Sequence, residues 1–176
     1  LETVGGFAHL PRGQDIDLCY QIHEAGYRMR FEAKSRVKHH HPISWRRYYY
    51  TQARHGYFRV WLYVAHPARV RGDAYSGFLD HVQPPLAMLL LASFACLAID
   101  GYRWVPVAML VLLLVTQLPM TADIIRHTSQ PRYFTYAMMG STRAIYRGVG
   151  LTIGTLHALV SRLKGNPIQR TATFTD

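Results

Sequence analysis

Two long runs without a formal charge constrain this chain more than any other feature of its sequence. Pro84 to Ile99 and Trp104 to Ala122 contain no Asp, Glu, Lys or Arg, and only the segment from Asp100 to Arg103 separates them. A helix that spans the hydrocarbon of a bilayer needs roughly 20 apolar residues, with a lower limit of about 17. The second run satisfies this length, and the first does so when Val82 and Gln83 are included. We therefore predict a transmembrane helical hairpin.

Basic residues on both sides of the hairpin predict its orientation. The chain has 20 Lys and Arg against 10 Asp and Glu, and residues 1–83 hold 12 of the basic and 7 of the acidic ones. More arginines follow the second run, at Arg126, Arg132, Arg143 and Arg147. By the positive-inside rule, both flanks are expected in the cytoplasm and the Asp100–Arg103 turn on the opposite side. A net charge of +10 is also typical of nucleic-acid binding, but no nucleic-acid motif accompanies it, so we predict no such partner.

Short elements of both kinds are predicted at the start of the chain. Ile16 to Ala25 is typical of a short helix, with Asp15 as its N-cap and Gly26 as its C-terminal stop. The alternation of apolar and basic residues from Tyr27 to Phe31 predicts a strand. A second strand is expected from Arg36 to His39. The two cysteines, Cys19 and Cys96, have neither disulfide-framework nor metal-ligand spacing, which favours a reducing, cytoplasmic setting.

Two further helices flank the hairpin. The first is expected from about Ser44, as N-cap, to Ala65, and Gly56 near its middle is a potential break. Because this helix alternates aromatic residues with arginines just before a span, it is typical of an interface anchor, and membrane lipid is an expected partner. Gly148 to Leu163 is a third apolar stretch with basic ends. We interpret it as an interfacial or re-entrant helix, with a third span as the alternative.

A series of short motifs gives a more specific indication. In chain order they are Gly5-Gly6-Phe7, Gly13-Gln14-Asp15-Ile16-Asp17-Leu18-Cys19, Glu24-Ala25-Gly26-Tyr27-Arg28 and His39-His40-His41. Their order and spacing resemble the C-terminal half of the catalytic domain of family 2 glycosyltransferases, which are inverting enzymes with a GT-A fold. The resemblance covers about residues 3–60. It implies an α/β class for residues 1–66, then a linker (67–83), the hairpin (84–122), a basic loop with an amphipathic or re-entrant helix (123–165) and a tail (166–176).

The chemistry implied by this resemblance is sugar transfer from a nucleotide-sugar donor to a lipid or glycan acceptor, with inversion. Such a reaction needs a base for the acceptor hydroxyl and positive charge for the departing diphosphate. Asp15 matches the catalytic base of the family, and a helix N-terminus favours its ionised form. Asp17 is the second catalytic candidate, although residues two apart do not share a helix face. At Gln14 the family usually has an acidic residue, so the contribution of that position is open.

Further binding residues follow from the resemblance. Gly5 and Gly6 allow close approach of the backbone to a sugar, and Gln14, Gln52 and Arg54 are substrate-binding candidates. The segment Gln52-Ala53-Arg54-His55-Gly56 partly resembles the helix that borders the acceptor channel in processive relatives. A divalent cation, Mn²⁺ or Mg²⁺, is the expected cofactor, with His39 as a ligand candidate and His41 on the same strand face ranked after it. The alternative for His39 is a polar strand end.

Parts of the family pattern have no counterpart in this sequence. In the family, the nucleotide-binding strands and the Asp-x-Asp metal motif precede the part that this sequence resembles, and no glycine-rich phosphate loop followed by a helix occurs in it. We therefore expect the chain to be the C-terminal portion of a longer enzyme and to be inactive by itself. The alternative function is a non-catalytic membrane-anchoring or assembly subunit that binds anionic lipid through its basic aromatic helix.

Overall fold

The structure, a computed structural model, describes residues 4–7, 12–30, 32, 34–38, 43–71 and 77–165. Helices make up most of this part of the chain. They are α1 (Gln14–Glu24), α2 (Trp45–Ala65), α3 (Phe78–Ser93), α4 (Val105–Val115), α5 (Leu118–Thr128) and α6 (Tyr136–Leu163). Short 3₁₀ segments follow α2, α3 and α5.

The predicted α/β class is wrong, because the described residues are helical and contain no strand. Where a strand was expected, from Tyr27 onward, the side chains through Arg30 are all exposed. A strand is stabilised by pairing with neighbours and by burying one face, and this segment does neither. Arg36 to Lys38 is likewise not a strand. Phe31 and His39, the ends of the two predicted strands, lie outside the described residues.

Helix α1 begins earlier than predicted. Its N-cap is Gly13, with a φ of 77°, so Asp15 lies in the first turn instead of at the cap. A carboxylate in the first turn still interacts favourably with the partial positive charge of the helix N-terminus. The C-terminal stop is where the sequence indicates it. Gly26 has a φ of 82°, and paired hydrogen bonds to the preceding turn close the helix as a Schellman motif.

Helix α2 has the predicted start and end. The Ser44 hydroxyl caps it by accepting a hydrogen bond from the Arg47 N–H at 3.3 Å. Gly56 does not break the helix, which continues to Ala65. Instead, Gly56 lies where α6 crosses, and a Cβ at this position would be 2.0 Å from the backbone oxygen of Arg147. The glycine therefore permits close helix packing.

The hairpin consists of two helical stretches, Phe78–Ala98 and Val105–Thr128, which are 21 and 24 residues long. Both are long and apolar enough to cross a membrane, and only 28% and 22% of their most apolar windows are buried. The first stretch begins before the charge-free run that starts at Pro84, and the second ends after the run that finishes at Ala122. The Asp100–Arg103 turn is closed by an ion pair of 2.8 Å. The second stretch bends between α4 and α5, just before Pro119, which cannot donate the next helical hydrogen bond.

Helix α6 joins the two parts of the molecule. It begins at Tyr136, well before the predicted Gly148. With 28 residues it is long enough to cross a membrane, but it is not apolar enough to be a third candidate span. Its first half packs on the hairpin, where Ala144 lies among Leu86, Ala87, Leu90 and Leu113. Its second half runs parallel to α2, because successive contacts advance toward the C-terminus of both helices. Tyr49 stacks on Tyr146, Gly150 approaches Ala53, and Gly154 approaches Tyr57. Helix α2 and the hairpin therefore both pack against α6.

Candidate active site

Helix α1 presents its two aspartates in opposite environments. Asp15 is exposed in the first turn, whereas Asp17 is 2% exposed. Ile16 packs against the apolar cluster around Phe58 and Leu62, which holds this turn on α2. Gly13 approaches the same helix, because a Cβ there would be 3.1 Å from the Leu62 side chain. The packing thus turns one carboxylate outward and the other into the protein.

Asp17 is held in a buried hydrogen-bonded group. Its Oδ1 lies 2.9 Å from Nε2 of His66, and its Oδ2 accepts a hydrogen bond from the side chain of Gln21. The other ring nitrogen of His66, Nδ1, lies 2.9 Å from Oε1 of Glu24. Both ring nitrogens of His66 are thus within hydrogen-bonding distance of a carboxylate. Since His66 is only 3% exposed and Asp17 only 2%, the contact between these two residues is shielded from water, whereas the Glu24 side chain is 46% exposed.

This arrangement fixes α1 to the end of α2. His66 directly follows α2, while Asp17 and Glu24 lie on the first and last turns of α1. Tyr20, between them, packs edge-on against the His66 ring at 5.2 Å. The guanidinium of Arg69 lies over the Tyr20 ring at 5.3 Å. These contacts determine the orientation of the helix that carries Asp15.

A group of cations lies near His55. His55, on the exposed side of α2, interacts electrostatically with Arg12, Arg147 and Arg59, and with Asp15 as the acidic neighbour. Desolvation, followed by the charges of Arg12 and Arg147, lowers the pKa of His55 to about 4, so the ring is neutral at pH 7. Nε of Arg12 is buried without a hydrogen-bond partner among the described residues. The surface around His55, which has Asp15 among its neighbours, therefore carries mainly positive charge.

The α2 residues predicted to bind substrate have separate positions. Gln52 is buried, and its Oε1 accepts a hydrogen bond from Nε of Arg147 at 2.8 Å. It thereby connects α2 to α6 and positions one of the cations. Arg54 lies over the rings of Tyr50 and Phe58 at 5.8 and 5.7 Å. Desolvation and then Arg54 lower the pKa of Arg12, which places Arg54 at the edge of the cationic group.

The remaining predicted residues are less well connected. Gln14 begins α1 and is exposed beside Asp15. Gly5 and Gly6 have φ angles of 79° and 71°, but a Cβ on either would meet nothing within 4 Å. The positive φ angles explain why glycine occurs at both positions. No described contact joins these residues to α1. His39 and His41, the proposed metal ligands, lie outside the described residues.

Sequence reasoning missed several residues of this site. His66 gave no signal, because its carboxylate partners are 49 and 42 positions away in the chain. From the sequence, Arg147 is only one of the basic residues after the second run that predict the orientation of the hairpin. His55 was part of the quoted Gln/Arg segment, and only the fold brings it near Arg12 and Asp15.

Comparison with known proteins gives a limited result. No protein-family model and no solved structure matches the chain. Two curated relatives do, the pre-mycofactocin glycosyltransferases of Mycobacterium tuberculosis strains CDC 1551 / Oshkosh and ATCC 25618 / H37Rv. Each is 35% identical over 78 residues, which are 44% of this chain and 17% of the relative's length. This partial similarity supports glycosyl transfer in general.

Proposed function

We propose that this chain carries the base and the acceptor-side elements of a membrane-bound glycosyltransferase. The enzyme would transfer a sugar from a nucleotide-sugar donor to a lipid or glycan acceptor at the cytoplasmic face, with inversion. The similarity to named glycosyltransferases supports the reaction class. The observation that carries the proposal is an exposed Asp15 on a helix that a buried Asp17–His66 pair holds in place. Asp15 also shares the neighbour His55 with a group of cations.

Asp15 acts as the general base in this proposal. It accepts the proton of the acceptor hydroxyl while the acceptor oxygen bonds to the anomeric carbon. The bond from that carbon to the diphosphate oxygen breaks on the opposite face, which inverts the configuration. Its position in the first turn of α1 leaves the carboxylate exposed and accessible to an acceptor. Asp17 is a positioning residue, because its oxygens are occupied by His66 and Gln21.

In this proposal, the cations near His55 stabilise the negative charge of the leaving diphosphate. Preorganised positive groups near developing charge supply a large part of many rate enhancements. Arg12 and Arg147 are suited to this role, and Gln52 holds the latter in place. A divalent cation is expected from the family resemblance, but the described part of the chain has no set of three His, Cys, Asp or Glu that could hold one. We therefore derive no step through a metal.

The test compares Asp15→Asn with wild type in the longest natural polypeptide that contains this chain, assayed in membranes. A panel of nucleotide sugars is supplied with Mn²⁺ or Mg²⁺, and sugar transfer is measured. Loss of a general base is expected to slow transfer by about 10²- to 10⁴-fold. Asp123→Asn, an exposed aspartate on α5, is the matched control and should retain activity.

Two outcomes would contradict the proposal. Transfer that survives Asp15→Asn would move the base to another residue. If wild type transfers no sugar from any donor, the non-catalytic anchoring function is favoured, and the basic aromatic helix α2 is the element that supports it. In that case Asp15→Asn would leave membrane association unchanged.

A further inference from the structure

A groove lies between α2 and α6. It has a volume of about 840 Å³, and its lining includes Arg46, Arg47, Tyr49, Tyr50, Tyr146 and Val149. Two of the lining rings, those of Tyr49 and Tyr146, stack between the two helices at 4.7 Å. Trp45, next to the groove in the sequence, stacks on Tyr49 at 6.0 Å. These rings form a rigid, largely apolar surface with phenolic edges.

The charged residues that line this groove, Arg46 and Arg47, are both positive. Arg46 and Arg47 are exposed, and neither guanidinium forms an ion pair within the described part of the chain. Between Glu32 and Asp73 the sequence has nine Lys and Arg and no acidic residue. The groove therefore has an uncompensated positive end and an apolar aromatic wall. A ligand that fits both features is an anion with an apolar part.

The groove is also close to the start of the hairpin. Tyr146 and Val149 flank Gly148, whose backbone touches α3, since a Cβ there would be 2.6 Å from the oxygen of Pro84. Pro84 begins the charge-free run, and Asp80 is the last charged residue before it. If the hairpin spans a bilayer, this level of α3 coincides with the boundary between headgroups and hydrocarbon. Aromatic and basic side chains are enriched at that boundary.

We propose that this groove binds the phosphate headgroup of an anionic membrane phospholipid. Arg46 and Arg47 contact the phosphate, and the Trp45–Tyr49–Tyr146 stack contacts the upper part of the acyl chains. The proposal requires that the hairpin spans the membrane, and it does not depend on sugar transfer. The site stabilises α2 against α6 because both helices contribute to its wall.

The experiment uses the full chain purified in a neutral detergent, with the melting temperature measured during titration with phosphatidylglycerol. Phosphatidylglycerol should raise the melting temperature more than phosphatidylcholine does. Arg46→Gln combined with Arg47→Gln should weaken the apparent affinity on the order of tenfold or more, since each interfacial arginine contributes about fivefold. The matched control is Arg126→Gln with Arg162→Gln, two exposed arginines outside the groove, which should retain the response.

Other outcomes would overturn the proposal. An equal response of the groove variant and the control variant would mean that phosphatidylglycerol binds elsewhere. An equal response to phosphatidylcholine would remove the anionic specificity. Glycerol phosphate, added at the same concentration, has the headgroup chemistry without acyl chains, and an equal shift with it would make the ligand a soluble phosphate. If the double Gln variant is unfolded, Arg46→Lys with Arg47→Lys keeps both charges and should keep most of the shift.

Discussion

At the scale of single residues, His66 is central to the stability of the α1–α2 connection. It lies between two carboxylates, and one of them, on Asp17, is almost completely buried. Removing one partner of a buried charged pair leaves the other without compensation, which is strongly destabilising. The same contacts orient the helix that carries Asp15. Stability and activity are therefore expected to decline together when His66 is replaced.

We predict that His66→Leu lowers the free energy of unfolding by about 3 kcal/mol, because the buried Asp17 carboxylate loses a hydrogen-bond partner. Denaturant or thermal unfolding in detergent would measure this. Glu24→Gln should cost less, since the Glu24 side chain is 46% exposed. Cys19→Ser, on the exposed face of the same helix, is the control. Unchanged stability of His66→Leu would contradict the structural role of the buried group.

His55 provides a prediction about pH. Its pKa of about 4 lies below the ordinary value of 6.5, first through desolvation and then through Arg12 and Arg147, while Asp15 acts in the opposite direction and Arg59 adds to the lowering. The folded state therefore binds this proton less readily than the unfolded state does. The corresponding stability is complete above about pH 6.5 and is lost as the pH falls toward 4.

We expect the His55 ring to remain neutral at pH 5 in the folded protein, which NMR titration of its imidazole C–H signals would show. His55→Gln removes the titrating group and should make the unfolding free energy less dependent on pH between 6.5 and 4. A His55 midpoint near 6.5 would show that neither desolvation nor the neighbouring arginines act on the ring. Replacement of the exposed His127 is a control for general histidine effects.

At the scale of whole elements, the sequence predicted α2 and the hairpin well and the first segment in part. Long apolar runs and the Ser44 cap are local signals, so they could be recognised directly. The α/β class could not be judged locally, because a strand depends on partners elsewhere in the chain, and the exposed Tyr27–Arg30 segment has none in the described structure. Likewise, the role of Gly56 depends on the approach of α6, which lies about 90 residues later.

The α2–α6 contact gives the prediction at this scale. Gly150 and Gly154 face α2 one turn apart, and a Cβ on Gly150 would be 1.8 Å from the backbone oxygen of Ala53. Small residues spaced in this way let helix backbones approach closely. We predict that Gly150→Ala separates the helices and lowers the free energy of unfolding by about 1–3 kcal/mol, the typical cost of overpacking.

Thermal unfolding in detergent would measure this effect. Gly77→Ala is the matched control, because a Cβ there meets nothing within 4 Å and the residue has no positive φ. Gly154→Ala should act in the same direction as Gly150→Ala but less strongly, since the backbone oxygen of Tyr57 would be 2.8 Å from its Cβ. Equal stability of Gly150→Ala and Gly77→Ala would show that close backbone contact is not required.

At the scale of the whole molecule, α6 links the site-bearing segment to the hairpin. Arg147 of α6 contacts Gln52 of α2, and one residue later Gly148 meets α3. Arg143, one turn earlier, lies 3.9 Å from Asp80 at the start of the hairpin. The Asp15 site is therefore held near the end of α3 where the first candidate span begins. If that end faces the cytoplasm, the site and the basic flanks are on the same side of the membrane.

The side of the membrane on which each end of the second candidate span lies can be tested by labelling. Tyr102 lies in the exposed turn before Val105–Thr128, and Phe134 is 66% exposed just after it. In a Cys96→Ser background, we predict that a membrane-impermeant maleimide labels the Tyr102→Cys variant in intact cells, because the positive-inside rule assigns the turn to the outside. The same rule assigns the flanks to the cytoplasm, so the Phe134→Cys variant and the native, exposed Cys19 should be labelled only after permeabilisation. The reverse pattern would invert the topology and place Asp15 outside the cell. Labelling of both variants in intact cells would show that this helix does not cross the bilayer.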